Sequence, residues 1–403
     1  MRRRASAGKW IAAILLLVSL VPRSSLGEAK YLGGNGNDYV YGLCPLSDGL
    51  LLLGETFSEA NTGDVADSAG AMPRERSTAW AVCLNRAGEM VWQTCYAGKK
   101  SANARFLAGI ERDGRFVLYA TGGQAGDDAL VILDEQGKNA QVVPTPRNVD
   151  VYEVCPSERG LILAGTTWDE ENLRPWCALL DASGETVWSY AGEPILREEG
   201  RCYFEHAASG DDRIVLYEAR LPYQNAEGSA AFLTAIDLDG NLLSRIRLDT
   251  PAPSYVSGII AQGSDVLLIG SSYDGGTDLQ IGTVVKLDEQ GKRRWIWTAS
   301  EQSGNTEISD LLLLEDGYFL CGTQYDYASP AYTQALTGFL SFDGESPGLR
   351  PLPEGKDLTD LRAFTISQDE IVLTGNVVKK ITAQSPCDEV DAFILKIRGR
   401  DAR

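Results

Sequence analysis

The stretch Val151–Gly192 reads VYEVCPSERGLILAGTTWDEENLRPWCALLDASGETVWSYAG. It divides into four extended runs, Val151–Pro156, Gly160–Thr167, Trp176–Asp181 and Glu185–Ala191. Tight turns at Ser157–Gly160 and Asp181–Gly184 and a long polar loop at Trp168–Pro175 separate them. Turn residues between short runs rich in Val, Leu, Ile and aromatics are the signature of antiparallel strands. Four such strands in about 42 residues match the size of one β-propeller blade.

The same unit recurs along the chain. Aligned on the glycine that ends the second run, LLLLGET stops at Gly54, LILAGTT at Gly165, VLLIGSS at Gly270, YFLCGTQ at Gly322 and IVLTGNV at Gly375. Two altered copies fill the gaps, FVLYATGG with Ala120 in the glycine slot and IVLYEAR with Glu218. A second landmark keeps the same phase: NRAG at Asn85–Gly88, DEQG at Asp134–Gly137, DASG at Asp181–Gly184, DLDG at Asp237–Gly240, DEQG at Asp288–Gly291 and FDG at Phe342–Gly344. Asp or Asn opening a turn accepts local backbone N–H bonds, and glycine takes the left-handed position that closes the hairpin. Seven units follow. The last ends at Phe393–Arg398, its third strand, while Ala29–Gly33 is a spare strand at the start. Pairing the two closes the ring and removes two exposed edges. The expected fold is therefore all-β, a seven-bladed β-propeller of four-stranded antiparallel blades closed by the N-terminal strand. Tyr39, Tyr41 and Leu43 alternate with Val40, Gly42 and Cys44, giving each strand one face toward each neighbouring blade. Trp92, Trp188, Trp295 and Trp297, at or near the start of fourth strands, read as packing between blades.

The N-terminus has the order of a secretory signal peptide: Arg2, Arg3, Arg4 and Lys9, then the apolar run Trp10–Val21, then small residues up to Gly27. Residues 1–27 are expected to be the signal peptide, cleaved before Glu28 with Ala29 as second choice, and 28–403 a single propeller domain. The alternative is an uncleaved N-terminal anchor. No other run is long and apolar enough to cross a membrane. These features place the chain outside the cytoplasm, secreted, periplasmic or at the cell surface. The formal net charge of −19 becomes more negative once Arg2, Arg3, Arg4, Lys9 and Arg23 are removed. Such a surface repels phosphate backbones, so nucleic acid is not an expected partner. Of the 8 cysteines, Cys44, Cys83, Cys155, Cys177 and Cys321 fall within strands, where small buried side chains fit. Cys95, Cys202 and Cys387 sit where a disulfide is allowed but not demanded.

The runs Ser47-Asp48-Gly49-Leu50 through Gly54 and Glu315-Asp316-Gly317-Tyr318 through Gly322 resemble the repeat of secreted bacterial β-propeller proteins, whose unit carries a DGG-y-l-l-aG-T signature. Ala178–Trp188 (ALLDASGETVW) is similar to the tryptophan motif of quinoprotein-like (PQQ-like) propellers. The resemblance spans the chain after the signal segment and implies the propeller fold. The quinoprotein dehydrogenases of that group have eight blades, a calcium site and a catalytic aspartate. Seven units here leave that cofactor without support, and no cofactor is expected.

Chemistry-bearing motifs are sparse. His206 is the 1 histidine, which excludes a histidine-rich metal site, and no GxSxG elbow accompanies it. It reads as a strand histidine. Asp237-Leu238-Asp239-Gly240-Asn241 echoes a calcium loop, yet Leu248 stands where the bidentate glutamate would be, so a hairpin turn is expected. Asp127-Asp128 and Asp211-Asp212 read as solvated turns, and no metal site is expected. The connections from second to third strands are the long ones: Phe57–Thr78, Trp168–Pro175, Ala219–Ser229, Tyr273–Gln280, Tyr325–Leu336 and Val378–Val390. They emerge on one face, where binding residues on a rigid scaffold are placed. Three begin alike, Trp168-Asp169, Tyr273-Asp274 and Tyr325-Asp326, with Phe57 a weaker fourth. Aromatic rings beside carboxylates stack on sugars, hydrogen-bond hydroxyls or seat peptides and cations; Tyr223, Tyr327 and Tyr332 add to that surface. The same rings also suit capping of strand ends. The expected function is a non-catalytic extracytoplasmic propeller binding a protein, peptide or glycan on its long-loop face. The alternative is a carbohydrate hydrolase or lyase using Asp169, Asp274 and Asp326, with quinone-dependent oxidation ranked third.

Overall fold

The computed structural model describes residues 30–58, 76–97, 103–122, 128–146, 148–223, 229–248, 253–273, 279–299, 304–325, 333–346, 348–356, 358–367, 370–382 and 385–398. These form seven antiparallel sheets and no helix. Blade 3 shows the pattern, with strands Val149–Ser157, Gly160–Trp168, Asn172–Leu180 and Thr186–Ala191 in consecutive order. Blade 4 runs Gly200–Ser209, Arg213–Pro222, Ala230–Asp237 and Leu242–Arg247. Blades 1 and 2 cover Asp38–Tyr96 and Arg105–Pro144, and blades 5 and 6 cover Tyr255–Thr298 and Asn305–Lys356. Blade 7 takes three strands from Leu358–Arg398 and its fourth from Lys30–Leu32, which pairs with the last strand through Tyr31↔Phe393. The seven-bladed fold and its closure by the N-terminal strand thus stand as read from the repeat. No helix among the described residues is long and apolar enough to cross a membrane.

The core is divided into seven clusters, one between each pair of neighbouring blades. In blade 3, Leu161 and Leu163 pack toward blade 2 with Val117, Tyr119 and Ile132, while Ile162 and Ala164 pack toward blade 4 with Phe204, Ile214 and Leu216. The period of two in a strand produces this split. Each such aliphatic side chain is fully buried, which stabilises by about 1.5–3 kcal/mol per large residue. The first strands of successive blades touch one another all round the ring, blade 7 against blade 1 included, and so line the axis.

The slot glycine and the first strand are coupled. A Cβ built on Gly165 would lie 1.9 Å from the Asp150 carbonyl oxygen. That close approach accompanies a bulge in the facing strand, where Val151 pairs Gly165, Glu153 pairs Ala164 and Tyr152 is the extra residue. The bulge recurs at Tyr41, Leu107, Glu205, Ser257 and Ser309. It corrects the expected alternation in blade 1. Val40 and Leu43 pack on the same cluster toward blade 7, and Cys44 packs toward blade 2, because the extra residue at Tyr41 shifts the parity between them.

Three expected loops are also corrected. Trp168–Pro175 is mostly ladder: Trp168 pairs Leu173, Thr167 pairs Arg174 and Thr166 pairs Pro175, leaving only Asp169–Glu171 in the turn. The second strand of blade 4 continues to Pro222, and in blade 7 the ladder runs on to Thr382↔Ser385. Long hairpins satisfy their backbone groups internally, so polar sequence did not require a loop. Cys44, Cys83, Cys155, Cys177, Cys202 and Cys321 are free thiols; Cys155 is partly rather than fully buried. Asp128 is not simply solvated, since it accepts the Tyr119 hydroxyl at 2.6 Å; Asp127 lies outside the described residues.

Candidate functional site

The DxxG turns resolve one ambiguity. In blade 4, Asp237 Oδ1 accepts the N–H groups of Asp239 and Asn241 at 2.9 and 2.8 Å, and Gly240 has a φ of 90°. Asp134, Asp181 and Asp288 make the same pair of bonds in blades 2, 3 and 5. These carboxylates are hinges of hairpins. Among the described residues, no group of three or more His, Cys, Asp or Glu side chains is arranged to hold a metal.

His206 sits where three blades meet. Its Nδ1 lies 3.2 Å from Glu153 Oε2 of blade 3, and its Nε2 lies 2.9 Å from the Val256 carbonyl oxygen of blade 5. Desolvation opposes its charge, but the hydrogen bond and charge of Glu153, with Val256 and Glu205, raise its pKa above the usual 6.5. Glu205 is itself raised by desolvation. The ring is thereby fixed between two neighbours, in agreement with a structural strand histidine.

The residues singled out on the long-loop face are spread over four blades. Phe57 packs edge-on against Tyr39 with centroids 6.3 Å apart. Tyr273 is 64% exposed. The Tyr325 hydroxyl donates to Gln280 Oε1 and so ties blade 6 to blade 5. Asp169 Oδ1 accepts from the N–H groups of Glu171 and Asn172 at 3.0 and 2.7 Å, and the N–H groups of Asn172 and then Glu171 hold its carboxyl below the usual carboxylate range. Its oxygens shape the hairpin tip. Asp274, Asp326, Tyr327 and Tyr332 lie outside the described residues. Trp168 differs, because it lines a cavity.

That cavity, of about 490 Å³, opens between blades 3 and 4 on the face of the second-to-third-strand hairpins. Asp150, Tyr152 and Thr166 line it from blade 3 with Trp168 and Leu173, and Arg201, Tyr203 and Tyr223 from blade 4. The chain builds it with an irregularity. In the connection between the blades, Ile195–Leu196 adds a short strand to Asn172–Leu173, making blade 3 five-stranded. Arg197 N then donates to Glu171 O at 2.9 Å, and Tyr223 N to Glu199 O at 3.0 Å. These bonds fix both lips.

The bulge supplies the central ring. As the extra residue of its strand, Tyr152 is turned out of the ladder and meets Tyr203 at 4.6 Å between centroids and 31° between planes. Tyr152 and Tyr223 remain 47% and 57% exposed. The equivalent Tyr41 of blade 1 is instead engaged: its hydroxyl donates to Glu55 at 2.5 Å and Arg105 lies over its ring at 5.2 Å. Desolvation, then Asp150, raises the Tyr152 hydroxyl's pKa, and desolvation, then Glu205, raises that of Tyr203, so both hydroxyls stay protonated at neutral pH. Tyr223, then Tyr152, raise the pKa of the Arg201 guanidinium beside them. Burial pushes the Cys202 thiol up to about 11, so it is protonated and unsuited to nucleophilic attack. Stacking, hydrogen bonding and anion capture are what this lining can do.

A second cavity, of about 540 Å³, opens on the opposite face among blades 1 to 4. Its charged groups hold the turns: Glu111 accepts Ser47 N at 3.0 Å and Arg112 donates to Glu158 O at 2.7 Å. Of the tyrosine-lined cleft, only Trp168 and Tyr223 stood out in the sequence. Tyr152, Tyr203, Arg197 and Arg201 did not, because the bulge and the extra strand that aim them leave no compositional mark.

No known protein family and no curated protein matches the sequence. Among solved structures, a protein of unknown function from Dyadobacter fermentans is similar over 94% of this chain and 100% of its own, with a TM-score of 0.51 and 12% identity. The β-propeller domain of the trilobed protease from Pyrococcus furiosus is similar over 90% of this chain and 97% of its own, with a TM-score of 0.50 and 10% identity. That domain has an open velcro topology, whereas Lys30–Leu32 closes the ring here. At such identities the likeness concerns the fold alone.

Proposed function

We propose that this chain is a non-catalytic, exported binding propeller whose ligand seats in the cleft between blades 3 and 4. The observation that carries this reading is the Tyr152–Tyr203 pair. Two rings from adjacent blades meet at 4.6 Å beside a cavity of about 490 Å³, within the range of ligand pockets. Large aromatic rings held by a rigid scaffold provide contact area at small entropic cost. Export is supported by Arg2–Arg4 and the apolar run Trp10–Val21 in the sequence. Residues 1–29 lie outside the described residues.

The test is capture of ligands by the exported chain, followed by affinity measurements on two variants. Tyr152→Ala combined with Tyr203→Ala is expected to weaken binding by about tenfold or more, since aromatic anchors carry most of an interface's affinity. Tyr273→Ala, on blade 5, is expected to leave it unchanged. The opposite pattern would move the site to the loop rim and overturn the cleft as its location.

A further inference from the structure

We propose that the cleft takes the carboxylate terminus of a short peptide, with Arg201 as the group that receives it and Arg197 beside it. This rests on the cleft being the ligand site. Among the described residues neither guanidinium is in an ion pair, whereas Arg220 and Arg245, also near blade 4, are taken up by Glu218 and Glu193. Arg201 lines the cavity beside Tyr223, and Arg197 Nη1 donates to the Asp169 carbonyl oxygen at 3.4 Å. The carbonyl contact orients the Arg197 guanidinium without neutralising it. The planar fork of arginine matches a carboxylate in two parallel hydrogen bonds.

The surroundings select among carboxylates. Outside the cavity, Asp169, Glu170 and Glu171 at the hairpin tip and Glu198 and Glu199 on the connection are exposed, on a chain of net charge −19. A polyanion approaching the arginines meets this acidic rim and is repelled. A ligand with one terminal carboxylate and a neutral or cationic remainder satisfies both zones. Peptides have that polarity. The Tyr152–Tyr203 pair offers apolar ring faces to a side chain and hydroxyls to its backbone, and the volume suits two or three residues rather than a folded surface.

The experiment uses the full chain and two soluble tripeptide libraries, one with free C-terminal carboxylates and one with C-terminal amides. Bound members are identified by mass spectrometry, and alginate serves as the polyanionic glycan. Free-acid members are expected to bind, with their amides weaker by about tenfold or more. Arg201→Gln should erase the difference between acid and amide, and Arg201→Lys should restore part of it. Amides binding as tightly as acids would overturn the carboxylate inference, as would alginate binding in place of peptides. In either case the cleft survives as the ligand site if Tyr152→Ala with Tyr203→Ala still removes binding. Binding of free acids that is indifferent to both the arginine and the tyrosine variants would overturn the two proposals together.

Discussion

The indole of Trp188 occupies the place where a side chain on Gly240 would stand. A Cβ on Gly240 would come within 2.8 Å of the ring, and Trp188 Nε1 donates to the Leu238 carbonyl oxygen at 3.1 Å. The fourth strand of blade 3 is thus keyed into the hairpin turn of blade 4. Trp92 meets Gly137 of blade 2 and Trp295 meets Gly344 of blade 6 in the same way. The turn glycine therefore serves two ends, a left-handed φ within its own blade and a socket for the blade before it.

Replacing Gly240 separates those two roles. Gly240→Ala should destabilise by about 2–4 kcal/mol, combining the left-handed backbone cost with overpacking against Trp188. Gly263→Ala, also at positive φ (55°) but with nothing within 4 Å of the new Cβ, should lose only about 1 kcal/mol. Equal losses in denaturant titrations would remove the socket from the explanation.

Glu218 stands in the glycine slot of blade 4 and is fully buried. It accepts Arg220 Nε at 2.6 Å and Arg245 Nε and Nη2 at 2.8 and 2.9 Å, while Arg245 lies 3.8 Å over the Phe232 ring. Glu218→Gly restores the residue of five of the other blades, yet it should destabilise by about 3–5 kcal/mol because two partly buried arginines lose their buried counter-charge. A thermal shift near zero would show that the ion pairs contribute nothing net.

His206 makes stability depend on pH. Its folded pKa is raised, so its contribution is complete below the unfolded value of about 6.5 and is lost as pH rises through the folded value. The gap in melting temperature between the native chain and His206→Gln should accordingly be wider at low than at high pH across that window. Glu153, Glu205 and the Val256 carbonyl all favour the protonated ring. A gap that widens with rising pH would contradict the sign.

Ring closure rests on a three-residue strand. Deleting the chain through Leu32 removes the pairing with Ala392–Ile394 and the Tyr31–Phe393 ring contact at 5.9 Å. The bared edge of blade 7 should lower the melting temperature by roughly 5 °C or more and promote edge-to-edge association, visible by size-exclusion chromatography. A monomer of unchanged stability would mean that three C-terminal strands suffice.

The blades were legible because each depends on local rules repeated in phase. Gly165 and Gly270 answer a close carbonyl, and Asp181 and Asp237 accept the N–H groups of their own turns; both leave a fixed residue at a fixed spacing. The length of the hairpins was not legible. Pro175 and the polar run before it read as a loop, yet proline is accommodated opposite Thr166, whose Oγ1 donates to Arg174 O at 3.0 Å. The cleft was least visible. Tyr152 is aimed by a bulge, and Arg197 is carried by a two-residue strand at Ile195–Leu196. Neither depends on periodicity, so no pattern in the sequence marks either.

Hydrogen–deuterium exchange of the full chain, with and without its best-binding free-acid tripeptide, tests the ligand site most directly. Protection is expected in residues 150–152, 166–173, 195–203 and 220–223, the four segments that wall the cleft between blades 3 and 4. Protection confined to the opposite-face turns at 45–49 and 157–160, or to the strand ends at Tyr273 and Tyr325, would contradict it.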